Sequence, residues 1–222
     1  MTRPPRSTVR DSLSVSLAVG LYGIAFGAAS STAGFSLWQT CLFSLLTFTG
    51  ASQFAAVGVV ASGGTALAAI AAAGLLGTRN TLYGLQMAPR LNVGRWGKAL
   101  AAHWTIDEST NVGLAQGALG PEAVRAGFWL TGGGVYLFWN LFTLAGALGA
   151  KALGNPAAWG LDAAVPAAFV GLLWPRLSDG FSRLVALFAC FAALGFTPFL
   201  PAGTAIIATV VVAVLAGWGA RS

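Results

Sequence analysis

Hydrophobic residues fill this chain in long, unbroken runs, and the few polar positions that interrupt them are the informative ones. An apolar run begins near Ser12 and lasts to about Ala33. Others cover about Leu37–Ala61, Thr65–Met87, Gly127–Gly149, Ala157–Trp174, Arg183–Leu200 and Thr204–Trp218. Such runs predict membrane helices, at roughly 20 residues per span. A β-barrel would instead alternate apolar and polar positions through segments of about ten residues. Between Met87 and Gly127 the character changes. Pro89–Lys98 is basic, and Ala99–Ala118 is helical in composition but contains His103, Asp107, Glu108 and Asn111. Whether that stretch spans decides between seven and eight helices.

Composition closes the other options. Of 222 residues, 56% are hydrophobic and only 8% are charged, against about 25% charged in an ordinary soluble domain. Mean hydropathy is +0.76. Too little polar surface is available for a soluble fold, and a chain so apolar cannot be disordered. The expected class is an all-α polytopic membrane protein, one integral membrane domain over residues 1–222. Net charge is +6. The basic residues are scattered among loops rather than gathered in a stripe, so they fix topology and do not point to nucleic acid. Cys41 and Cys190 lie inside apolar runs without metal or disulfide spacing, and read as small hydrophobes.

Arg3, Arg6 and Arg10 precede the first run, as in a signal peptide. The run is too long and too rich in Gly and Ser for one, so it reads as an uncleaved first helix with a cytoplasmic N-terminus. Eight spans from that start place Arg176 and Arg183 inside, in accord with the positive-inside rule, but Arg90, Arg95 and Lys98 outside, against it. A broken or re-entrant helix around Gly77–Asn80 would remove the conflict. Thr49–Val60 and Asp162–Leu173 share four small or apolar residues in register, a weak hint of an internal repeat.

Polar groups inside apolar runs must be satisfied without water. The first cluster is Thr47–Phe54. Gly50 can break the helix there, and the N–H groups of the resulting half-helix would attract a carboxylate, with Ser52 and Gln53 beside them. Alternatively these residues only hydrogen-bond neighbouring helices. In the second cluster, Gly77–Tyr83, Arg79 lies deep in an apolar helix and needs a partner unless it snorkels. The expectation is that it holds a substrate carboxylate or a buried acid. The third cluster spaces His103, Asp107 and Asn111 four residues apart on one helix face, with Glu108 turned about 100° away and free to pair with a base such as Arg79. It reads as a proton or cation site, Asp107 foremost, or as an amphipathic surface helix. Asp162, followed by Pro166, is a fourth candidate, or a helix cap. A Ser52–His103 protease dyad lacks its Gly-x-Ser-Gly motif. No enzymatic or cofactor motif is present, so neither catalysis nor a cofactor is expected.

These clusters, in this order, resemble the AzlC-type branched-chain amino acid permeases. Tyr22-Gly23-Ile24-Ala25-Phe26-Gly27 is similar to the family's Pro-Phe-Gly-Ile-Ala-Phe-Gly opening. Thr49–Phe54 resembles Ala-Gly-Ser-Ala-Gln-Phe, and Arg79–Gly84 resembles Asn-Leu-Arg-His-x-Leu-Tyr-Gly. Asp107-Glu108 stands where the family has Thr-Asp-Glu, and Gly160–Phe169 resembles Gly-Leu-Asp-Phe-x-x-Pro-Ala-x-Phe. Departures are Gly77 for the family's Asn, Asn80 for its His, and Ile106 for its Thr. The resemblance implies the large subunit of a bacterial inner-membrane exporter of valine, leucine, isoleucine and methionine, with a small AzlD-type membrane subunit as partner. It points to Gly50, Ser52, Gln53, Arg79, Asn80 and Tyr83 for substrate, to Asp107, Glu108 and His103 for proton coupling, and to Asp162 and Pro166 for structure or gating. The rival expectation is a scaffold subunit whose polar residues only hold helices together. A transporter should gather Gln53, Arg79 and Asp107 around one cavity, whereas a scaffold should bury them as closed pairs.

Overall fold

The computed structural model describes residues 4–153, 163–201 and 204–219, and among these every regular element is helical. In chain order they are α1 (Arg6–Thr32), α2 (Leu37–Leu46), α3 (Gly50–Ala61), α4 (Ala66–Leu91), α5 (Arg95–Trp104), α6 (Asp107–Ala115), α7 (Pro121–Ala152), α8 (Ala164–Leu173), α9 (Gly180–Phe196), α10 (Thr204–Ala208) and α11 (Val210–Gly219). By length and apolarity, α1 and α7 can each cross a bilayer alone. Their outward leucines are exposed, as a lipid-facing surface requires.

α1 and α7 form the central pair and run in the same direction. Ser16 Oγ donates to the Thr131 carbonyl at 3.3 Å, and further along Ser31 Oγ donates to the Ala147 carbonyl at 3.5 Å. Small residues let the backbones touch. A Cβ on Gly27 would collide with the Thr143 carbonyl oxygen, and one on Gly146 with that of Ile24.

The second apolar run is not one continuous helix. Its helix stops at Leu46 and restarts at Gly50, and the chain turns back on itself. Gln53 Nε2 donates to the carbonyls of Phe43 and Ser44, each at 3.3 Å, which a straight helix would hold more than two turns away. Phe35, at the entry to α2, and Val60, at the end of α3, line one groove. α2 and α3 are therefore the arms of a re-entrant hairpin that enters from the C-terminal end of α1. Ser36 opens it with a capping box, its Oγ taking the Gln39 N–H and its own N–H donating to the Gln39 side chain.

The polar stretch Ala99–Ala118 is a second hairpin, entering from the opposite end. Ala101 packs with Val124 and Phe128 in the first turns of α7. Seven residues past the turn at Thr105–Ile106, Gly113 lies against the same Val124 and Phe128. Trp104 and Ser109, flanking the break, both meet Gly132. Ser109 Oγ fixes the turn by donating to the Trp104 carbonyl at 2.7 Å.

Two expectations are corrected here. The re-entrant segment is not around Gly77–Asn80, because α4 is continuous from Ala66 to Leu91 and ends at left-handed Asn92 (φ 46°) just after Pro89. The break falls at Thr47–Thr49 instead. Since α2–α3 returns to the end it entered, α4 runs back to the start of α7, where Leu91 packs with Val124 and Phe128, the same end that holds Arg6, Arg10 and Arg125. The basic residues that conflicted with the charge rule thus share one end of the bundle. The weak repeat also changes meaning: α3 and α8 touch through Phe54 and Phe169, ring centroids 6.2 Å apart, but α3 points its N-terminus at the centre and α8 its C-terminus.

Candidate functional site

The tips of the hairpins meet at mid-height of α7. The Phe48 ring lies 5.9 Å from His103, and both pack on Tyr136, at 5.0 and 5.5 Å. Beside this contact two half-helices begin. Gly50 is the first residue of α3 and Asp107 the first of α6, and neither helix has a capping side chain on its N-cap residue Thr49 or Ile106. At α6 the Ile106 N–H is taken by Ser109 Oγ at 3.1 Å. The positive ends of two helix dipoles point into the same space.

That space is a cavity of about 60 Å³, enough for a few waters. One side is polar: Thr49, Gly50 and Ala51 from the first tip, Asp107 and Glu108 from the second, and Arg79 from the middle of α4. The other side is apolar and aromatic, with Val19, Tyr22, Phe48, Phe54, Val135 and Trp139. The wall is rigid because Phe26 holds it from behind, edge-on to Phe54 at 5.7 Å and stacked on Trp139 at 6.0 Å.

Asp107 is the electrostatic centre. Its Oδ1 lies 3.4 Å from Arg79 Nη2, and its Oδ2 accepts from Arg79 Nη1 at 3.5 Å and from Arg176 Nη2 at 2.8 Å. Arg176 arrives on the short 3-10 turn Trp174–Arg176 that follows α8. Charge-based topology placed it in a loop, and no local pattern in the sequence marks it for the site. Glu108 lines the same cavity but makes no ion pair within 4 Å among the described residues.

Other residues fall differently from expectation. The break at Thr105–Ile106 separates His103 from Asp107, so His103, Asp107 and Asn111 do not share a helix face; Asn111 is exposed and His103 stacks at the tip. Arg79 pairs with Asp107 rather than with Glu108. Gln53 is fully buried but does not line the cavity, its amide closing the hairpin instead. Ser52 is buried at the α3–α4 contact, 3.4 Å from where a Cβ on Gly77 would stand, and lines the groove outside. Asn80 and Tyr83 lie on α4 away from the cavity lining. Pro166 is exposed in the first turn of α8, where its missing N–H costs nothing. Asp162 lies outside the described residues.

Several cavity groups have hydrogen-bonding capacity left over. Among the described residues, Thr49 Oγ1, Arg79 Nε and Trp139 Nε1 are buried without a hydrogen-bond partner, although buried polar groups normally find one. Cations and helix N-termini for a carboxylate, acids for an ammonium, and an aromatic wall for an apolar side chain match the three parts of a hydrophobic α-amino acid.

A family model described as AzlC protein matches residues 14–153, from the first turns of α1 to the end of α7. Both hairpins and Arg79 lie within that stretch, and Arg176 lies beyond it. No curated protein and no solved structure matches the chain.

Proposed function

The chain belongs to the AzlC family, and we propose that it is the large subunit of a secondary transporter that exports branched-chain amino acids. Membership makes it a membrane protein of branched-chain amino acid transport. Valine, leucine, isoleucine and methionine as substrates, the outward direction and the coupling to protons are the proposal. So are the multi-pass location in the bacterial cytoplasmic membrane and a small AzlD-type subunit that completes the exporter.

The observation that carries this reading is the convergence of two half-helix N-termini, one from each end of the bundle, on a cavity that holds Arg79, Asp107 and Glu108. Discontinuous helices aimed at a shared mid-depth site are how secondary transporters bind charged substrates and coupling ions without water. A scaffold subunit would only hold helices together, as the Gln53 amide nitrogen does at the hairpin. Thr49 Oγ1, Arg79 Nε and Trp139 Nε1 line the cavity without a hydrogen-bond partner among the described residues. Basic residues gathered at the end that holds the N-termini of α1 and α7 favour that end as cytoplasmic. At its present volume the cavity cannot hold valine, so transport requires the two tips to part.

The test is export of labelled L-valine and L-methionine from cells expressing the chain with and without the small subunit. Efflux above the empty-vector level that depends on the proton gradient is expected. Efflux at the empty-vector level with both subunits in the membrane would refute the reading.

A further inference from the structure

Asp107 is shared by two arginines. Arg79 reaches it from α4 at 3.4–3.5 Å, and Arg176 reaches it from the turn after α8 at 2.8 Å. A guanidinium can fork a carboxylate with two parallel N–H bonds, yet Arg176 spends one nitrogen on Oδ2. Its side chain is 54% exposed, against 31% for Arg79 and 15% for Asp107, so it is the member of the trio with room to move. Among the described residues the trio, Glu108 and the two helix N-termini are the charges of this site. One carboxylate occupies two cationic forks.

We propose that Arg176 is a second carboxylate-binding residue of the substrate site, held by Asp107 until the carboxylate of an amino acid takes its place. The inference rests on the amino-acid reading above and adds to the site a residue outside the matched family stretch. The exchange keeps every charge paired, which a low-dielectric site requires. Arg79 and Arg176 pass from Asp107 to the substrate carboxylate. Asp107 and Glu108 are then free to face its ammonium. Because Arg176 comes from the turn after α8 and Arg79 from α4, a carboxylate bound by both ties these parts of the chain together. A ligand without a carboxylate has nothing to offer Arg176, so the residue selects zwitterions over amines.

The test is calorimetric binding of L-valine and of L-valinamide, which lacks the carboxylate, to the full chain in lipid nanodiscs. Arg176→Gln is expected to raise the Kd for L-valine about tenfold, the worth of one charge-assisted bond. Arg176→Lys should recover part of that loss, and L-valinamide binding should be the same in all three proteins. Unchanged L-valine affinity in Arg176→Gln, or an equal loss for both ligands, would overturn the proposal while leaving the amino-acid reading standing. If the wild-type chain binds no L-valine in the presence of its small partner, both fall.

Discussion

The guanidinium of Arg79, in the middle of a 26-residue helix, lies 3.4 Å from the carboxylate of Asp107, the first residue of a half-helix that starts at the centre of the bundle. Depth alone made an unpartnered arginine costly there, and the pairing explains how it is tolerated. Both Asp107 oxygens face the fork. Lysine offers one compact charge instead of a planar fork, so Arg79→Lys is expected to lower L-valine efflux by about tenfold or more at matched expression. Normal efflux by Arg79→Lys would reduce the residue to an ion pair that only holds α4 to α6.

Gly50 is set by its neighbour across the cavity. A Cβ there would stand 2.9 Å from Trp139 Cη2, and Trp139 is buried behind Phe26 and Phe54. Overpacking at such a point costs about 1–3 kcal/mol. Gly50→Ala is therefore expected to reduce efflux with a modest loss of thermal stability in detergent, and Gly50→Leu to abolish efflux by filling the approach to the helix N-terminus. Wild-type efflux from Gly50→Leu would mean the substrate never approaches the start of α3.

Gln53 separates architecture from binding. Its amide donates to two carbonyls in the last turns of α2, those of Ser44 and of Phe43, the latter also accepting the Thr47 N–H. Gln53→Leu should cost about 1–3 kcal/mol by leaving the Ser44 carbonyl unpaired, read as a lower melting temperature in detergent. The KM of the protein that remains folded should be unchanged. A raised KM with unchanged melting would return Gln53 to the substrate.

The membrane class, the long helices and the residues around the cavity were legible because an apolar run makes every polar interruption conspicuous. Gly50 signalled its break by being a glycine among small polar residues. The break at Thr105–Ile106 carries no glycine or proline, and its cause is tertiary: Ser109 satisfies the Trp104 carbonyl and Gly132 gives the turn room. Continuous helix therefore looked as good in sequence, and it placed His103 and Asp107 on one face that does not exist. That α2–α3 turns back rather than crosses rests on one side-chain amide reaching ten residues back. Arg176 meets Asp107 over 69 positions, a contact no local spacing encodes.

Glu108 is the carboxyl best placed to carry a coupling proton, although the sequence pattern favoured its neighbour. Asp107 is engaged by two guanidinium groups, so protonating it would leave two arginines without their partner in a site that cannot hydrate them. Glu108 lines the same cavity without an arginine within 4 Å among the described residues. It can gain or lose a proton without dismantling the ion pairs that hold the tips. A proton on Glu108 also removes one of the two negative charges available to a substrate ammonium, so proton and amino acid compete for the site, as exchange of one for the other across the membrane requires. Glu108→Gln fixes the neutral form in nearly the same shape. It is expected to remove the dependence of L-valine transport on an imposed pH gradient in proteoliposomes, while L-valine exchange between the two sides continues. Asp107→Asn, which frees both arginines, should instead alter L-valine affinity and leave a measurable response to the gradient. Gradient-driven accumulation by Glu108→Gln equal to wild type would exclude Glu108 as the coupling group, and the same result reversed between the two variants would assign the proton to Asp107.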